Sequence, residues 1–369
     1  MKKILQVLSQ IKSLDSESAT LAKIRLDNLT KPPGSLAALE NLTVTLAGIL
    51  NTTQLAVLPK AIVLMAADHG VAIEGVSAYP QQVTEQMVYN FVRGGAAINV
   101  LSRHAGAELV LVDVGVAAEL SPELPIKHAK VRRGTENIRR HPAMSRDELL
   151  KAIEVGIDTA NELADKGIQI IGLGEMGIGN TTASSAVASV LLNREPTEVT
   201  GVGAGISSDR LVRKIEIIAE AIRLHQPMSQ DPLDVLAKVG GLEIAALTGL
   251  VLAGAARRML VVLDGFISTA AVLAAYRIEP AIKPFLLASH LSAEPGHEII
   301  LTELGLKPCL RLDMRLGEGT GAALGMTLID ASVKIFNEMA TFEQAKISGA
   351  LENSEDKIAA VSVENLDED

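Results

Sequence analysis

Seven short apolar runs punctuate this chain, and between them apolar positions recur every three to four residues. The runs are residues 61–67 (AIVLMAA), 108–114 (ELVLVDV), 168–174 (IQIIGLG), 199–205 (VTGVGAG), 259–265 (MLVVLDG), 284–289 (PFLLAS) and 309–314 (CLRLDM). Short apolar runs bounded by turn residues fit strands covered on both faces, and the longer spacing in 146–164, 207–224 and 268–278 fits helices. Strand and helix in alternation predict an α/β fold with a doubly wound parallel sheet. Nearly every glycine-rich or charged turn follows a strand, which is the edge where such sheets bind ligands.

The two chain ends break the alternation. Residues 1–60 are mostly helical and interrupted at KPPGSL, 31–36, where paired prolines and a glycine end a helix. Residues 320–345 are helical again. The two segments are expected to form a small helical domain beside a large α/β domain at 61–319. Residues 346–369 are acidic, polar and aperiodic, and are expected to form a disordered tail. The apolar stretch 244–256 is too short to span a bilayer and reads as a buried helix, and the N-terminal segment lacks a signal peptide's apolar core and cleavage site.

With aromatics at 2% and no Trp, the core must be aliphatic, as suits helices on a parallel sheet. The net charge of −10 argues against nucleic acid or an anionic membrane as partner. The single cysteine, Cys309, excludes a disulfide framework, fits the cytoplasm and reads as core.

The candidate chemistry lies after the strands. Residues 172–192 (GLGEMGIGNTTASSAVASVLL) place a glycine-rich loop before a helix opening at Asn180, Thr181 and Thr182. Helix N-terminal N–H groups favour anions there. Gly172, Gly174 and Gly177 spell G-x-G-x-x-G, but Glu175 inside the loop would repel a pyrophosphate. One phosphate at the Asn180 end, with Glu175 facing a sugar, fits better. Gly201, Gly203 and Gly205 precede a second helix, and Lys214 about two turns in could reach that phosphate. Asp68, His69, Asp264, His290, Glu294 and His297 match no metal-site spacing and read as turn caps or substrate contacts. In MRLGEGTG, Glu318 stands between two glycines beside Met314 and Leu316. A carboxyl in a dry pocket has a raised pKa and can act as a base near neutrality.

KPPGSL, ADHGV, GEMGIGNTT, GVGAGI, DGFIS, SHLSAEPGH and LDMRLGEGTGAAL occur in this order over residues 15 to 345. In these motifs the chain resembles the nicotinate-nucleotide–dimethylbenzimidazole phosphoribosyltransferases of cobalamin lower-loop assembly. The resemblance implies transfer of phosphoribose from nicotinate mononucleotide to 5,6-dimethylbenzimidazole, without cofactor or metal. It also implies a Rossmann-like large domain, a small domain from both chain ends, and a homodimer. Its base matches Glu318. Positions around its nucleotide match Glu175, Gly177, Lys214 and Ser292, and the wall of its base pocket matches Met314 and Leu316. Tyr79, Pro80, Gln86 and Met87 are expected to complete that pocket. Two other readings stand beside this one: an NAD-dependent oxidoreductase using the glycine fingerprint, and a non-catalytic nucleotide-binding protein.

Overall fold

The computed structural model describes residues 1–56 and 58–348. The expected tail lies outside the described residues from 349 onward. Before it, Phe342–Ala345 forms one helical turn that Lys346 ends in a left-handed conformation.

Six strands form one parallel sheet: β1 (Lys60–Ala67), β2 (Ala107–Gly115), β3 (Lys127–His128), β4 (Ile170–Met176), β5 (Leu260–Leu263) and β6 (Leu286–Ala288). Their order is β3-β2-β1-β4-β5-β6, so the winding reverses between β1 and β4. A crevice opens at the carboxyl ends of those two neighbours, where doubly wound sheets bind ligands. The fold is the expected Rossmann-like α/β class. Two further strands, β7 (His290–Leu291) and β8 (Leu310–Arg311), pair in a separate small parallel sheet.

Helix Leu242–Ala256 confirms the buried reading of the apolar stretch, since every residue but Ala256 lies in its buried set. It packs on helix Arg146–Asp165 so closely that a methyl group at Gly156 would overlap the Ala246 carbonyl, and one at Gly249 the Ile153 carbonyl. Burial on every side explains why the helix is apolar but for Glu243 and Thr248. Near the other end of the chain's path, Thr43 donates to the Ser332 carbonyl at 3.2 Å and Arg25 Nε to the Phe336 carbonyl at 2.8 Å. The N-terminal helices thus meet helix Thr320–Glu338, and that helix also lies on β4 and β5. One continuous aliphatic core runs through these elements.

Three expectations need correction. Residues 199–205 are not a strand: a helical turn ends at Val199, and Gly203 and Gly205 take positive φ. Gly172, Gly174 and Glu175 lie inside β4, not in a loop. Gly172 faces Met326 and Ala322 of the C-terminal helix, and a side chain at Gly174 would lie 2.6 Å from the Glu318 carbonyl. These glycines admit a packed helix and its preceding loop, which is why they spell a nucleotide fingerprint without forming one. Cys309 is half-buried just before β8, not part of the core.

Candidate active site

A cavity of about 380 Å³ occupies the crevice beyond β1 and β4. Its floor is built around Gly317-Glu318-Gly319, three consecutive residues with φ of 86°, 64° and 91°. Glycines take such values freely, whereas a glutamate does so at a cost. Asp264, at the end of β5, holds this turn: its carboxylate accepts the N–H of Gly319 at 3.0 Å and of Gly321 at 2.6 Å. Glu318 is 6% exposed, and its Oε2 is buried without a hydrogen-bond partner among the described residues. Burial pushes its pKa up to about 7, opposed by a backbone contact from Ile98 and reinforced by the charge of Asp264.

Glu175 lines the same cavity from the end of β4. Burial, then the charges of Asp264, Glu243 and Glu318, raise its pKa well above the usual carboxyl range. Its Oε2 accepts from the Asn180 side-chain amide. The crevice is therefore a dry acidic trap, suited to a substrate that carries or develops positive charge.

The opposite character appears where helices Asn180–Leu192 and Ser208–His225 begin. Lys214 is fully buried, and its Nζ donates to Thr181 Oγ1 at 3.0 Å and the Gly201 carbonyl at 3.2 Å. Burial lowers its pKa to about 8, with Glu294 opposing. Glu294 Oε1 in turn accepts the Gly203 N–H at 2.8 Å. Gly203 takes a φ of 55°, and a Cβ there would crowd Thr181 Oγ1 at 3.0 Å and touch the Lys214 ammonium. Thr181 and Gly203 thus line the cavity, with the Lys214 ammonium held behind them.

Of the residues singled out from sequence, Glu318, Glu175, Gly177, Asn180, Thr181 and Gly203 line the cavity. So do Ser292, Tyr79, Met87 and Leu316. Lys214 sits behind Thr181 and Gly203. Lys214 and four others are not among the residues lining it. Gln86 is exposed on helix Val83–Arg93, because Val83 and Met87 share the face that turns inward. Pro80 is exposed in the preceding turn, where its carbonyl accepts the Val83 N–H. Met314 is half-buried and serves through its carbonyl, which accepts the Ala293 N–H at 3.0 Å. Gly205 lies beyond the rim, facing Arg315.

The sequence reading missed Arg315, Phe266, Ile267 and Ile178, all of which line the cavity. Arg315 had a visible signal, since it is the one cation between Met314 and Glu318. The histidines have structural partners. His69 pairs with Glu243 at 2.6 Å, both fully buried. Burial pushes His297 down to about 3, with His290 adding to the effect. Its Nδ1 accepts the Ser292 N–H at 2.9 Å, so the neutral ring donates from Nε2 to Thr269 at 3.0 Å and fixes Ser292 at the cavity wall. Among the described residues no group of three or more His, Cys, Asp or Glu is placed to hold a metal ion.

The family model described as Phosphoribosyltransferase matches residues 11–347. The nicotinate-nucleotide–dimethylbenzimidazole phosphoribosyltransferase of Roseiflexus sp. (strain RS-1) is 51% identical over 353 residues, which cover 96% of this chain and 100% of that protein. The protein of the same name from Halalkalibacterium halodurans is 48% identical over 354 residues, covering 96% of this chain and 99% of its own. A crystal structure of CobT from Thermus thermophilus matches with a TM-score of 0.86 at 44% identity, over 90% of this chain and 100% of that one. Fold, motif order and near-full-length identity agree, and the chain belongs to the nicotinate-nucleotide–dimethylbenzimidazole phosphoribosyltransferase family.

Proposed function

We propose that this protein transfers the phosphoribosyl group of nicotinate mononucleotide to 5,6-dimethylbenzimidazole, with inversion at C1′, giving α-ribazole 5′-phosphate and nicotinate. The observation that carries this reading is the Glu318 carboxyl: buried, lining the cavity, with one oxygen unpartnered and a pKa near 7. Dimethylbenzimidazole attacks through one ring nitrogen and carries a proton on the other. As the new C1′–N bond forms, that proton becomes acidic, and Glu318 is the base that takes it. Leu316 and Met87 supply apolar wall for the flat bicycle, and bare Gly317 lets it approach the main chain.

Nicotinate leaves as a neutral ring when the pyridinium–C1′ bond breaks, so no general acid is needed. The bond's electron pair stays with the departing nitrogen while C1′ gains oxocarbenium character. Glu175 and Glu318 line the cavity beside that centre, each held toward its neutral form by burial in the free protein. A cation arriving there favours the ionised form of Glu175. Asn180 orients Glu175, and Thr181, Gly203 and Lys214 receive the phosphate. The oxidoreductase reading loses its basis, because Gly172 and Gly174 are strand residues packed against the chain's own helix and loop.

The same reading takes the working form as a cytoplasmic homodimer. Leu21 and Ile24 on helix Ser16–Asp27, each about half exposed, support a covered face. Among the described residues no helix is long and apolar enough to cross a membrane. The test is to mix the protein with nicotinate mononucleotide and dimethylbenzimidazole in EDTA. Stoichiometric release of nicotinate with an α-linked product by NMR is expected. A β-linked product, or nicotinate released without dimethylbenzimidazole, would refute the reading, and sedimentation tests the dimer.

A further inference from the structure

We propose that Arg315 is a second cation for the substrate's phosphate, acting with Lys214 across the 201–205 loop. This inference rests on the phosphoribosyl-transfer reading given above.

Arg315 lines the cavity, and its Nη1 donates to the Gly203 carbonyl at 3.0 Å. Its guanidinium lies 3.9 Å from where a side chain at Gly205 would begin. Gly203 is the residue whose other side meets Thr181 and Lys214, so the two cations flank one bare peptide. Guanidinium carries five N–H donors. Among the described residues Arg315 spends one, on Gly203, and has no carboxylate in ion-pair range. An exposed arginine at a cavity rim with unused donors can swing to a ligand without breaking a salt bridge.

Charge makes a second cation necessary. Glu175, Glu294 and Glu318 line the cavity, and among the described residues Arg315 is the only cation that does. A phosphate monoester is close to a dianion at neutral pH. Lys214 offers at most one charge, lies beside Glu294, and is held partly toward neutrality by burial. A planar guanidinium matches two phosphate oxygens at once, which an ammonium cannot do. Nicotinate mononucleotide also carries a carboxylate, and the experiment separates the two anions.

Arg315→Ala and Arg315→Lys are assayed with three donors: nicotinate mononucleotide, nicotinamide mononucleotide, which lacks the carboxylate, and nicotinate riboside, which lacks the phosphate. Inorganic phosphate serves as a competitive inhibitor. The KM of Arg315→Ala for both mononucleotides should rise roughly 10- to 100-fold, the usual loss for a hydrogen bond to a charged group. The inhibition constant of inorganic phosphate should rise alongside. The KM for dimethylbenzimidazole and kcat/KM for the riboside should stay at parental values, and Arg315→Lys should recover part of the loss. A loss confined to nicotinate mononucleotide would assign Arg315 to the carboxylate and overturn the proposal. Equal losses with the riboside, or no loss at all, would overturn it as well. If the parental protein itself releases no nicotinate from nicotinate mononucleotide, the underlying reading falls, and this one with it.

Discussion

Asp264 accepts the main-chain N–H of Gly319 at 3.0 Å, one residue beyond Glu318. This bond and its companion at Gly321 hold the Gly-Glu-Gly turn in its left-handed conformation and fix where the Glu318 carboxyl stands. Glu318→Gln keeps the shape but cannot accept a proton. Both substrates should still bind, while kcat falls by ~10²–10⁴, the usual contribution of a positioned base. The parental rate should rise with pH through about 7, since the carboxyl must be ionised to act, and then level off. The variant should lack that limb. Near-parental turnover by Glu318→Gln at neutral pH would move the base to another residue, Glu175 first.

The same substitution should change folding stability in a pH-dependent way. Glu318 holds its proton to about pH 7 in the folded protein, against an ordinary value of 4.5. The folded state therefore binds more protons than the unfolded state between these values, and stability drops as pH rises across them. Glutamine removes that penalty. Glu318→Gln should match the parent near pH 4.5 and exceed it by about 3 kcal/mol at pH 8 and above, given 1.36 kcal/mol per pKa unit. Denaturant melts at several pH values measure the difference. A variant less stable than the parent at pH 8 would mean that the carboxylate is a structural contact.

Much of this site was legible because its chemistry is local. Glu318 between glycines and Asn180-Thr181 at a helix start both carry their meaning in a few neighbouring letters. Burial of Lys214 was less legible, since a helix lysine ordinarily faces water, and only its 3.0 Å contact to Thr181 reveals the inward turn. What failed depended on tertiary contacts. Residues 199–205 have a strand's apolarity, but Gly203 is pinned by Glu294 from ninety residues away. Met314 and Leu316 looked equivalent, yet Asp313 takes a φ of 54° and only Leu316 of the two lines the cavity. Strands β3, β7 and β8 have two residues each, too short for any periodicity.

Gly317 tests whether the turn's bareness matters beyond backbone freedom. Its φ is 86°, and a methyl group there would overlap Glu175 Oε1. Gly167 offers a control with the same kind of φ, 84°, and open space around it. Both Gly→Ala changes should cost about 1–2 kcal/mol of stability, the penalty of a left-handed residue with a Cβ. Only Gly317→Ala should also displace Glu175, with kcat falling by at least ~10-fold, a loss of about 1.4 kcal/mol in transition-state stabilisation. Equal, unimpaired turnover in both variants would show that Glu175 has room to move.

Lys214 yields a proton count. Burial holds its pKa to about 8 in the free protein. A neighbouring phosphate dianion favours the charged ammonium and raises that pKa. Binding of nicotinate mononucleotide should therefore draw a proton from solution whenever the free lysine is partly neutral. At pH 6.5 the lysine is already charged and its share of the uptake is near zero. At pH 8 it should approach about half a proton per site, and it should rise further at pH 9. Calorimetry in two buffers of different ionisation enthalpy measures the uptake directly. Glu318 and the phosphate itself also titrate near neutrality, so the informative quantity is the difference between the parent and Lys214→Met, whose binding should be weaker but free of the lysine's share. Identical uptake in both proteins at pH 8 would show that Lys214 does not meet the phosphate.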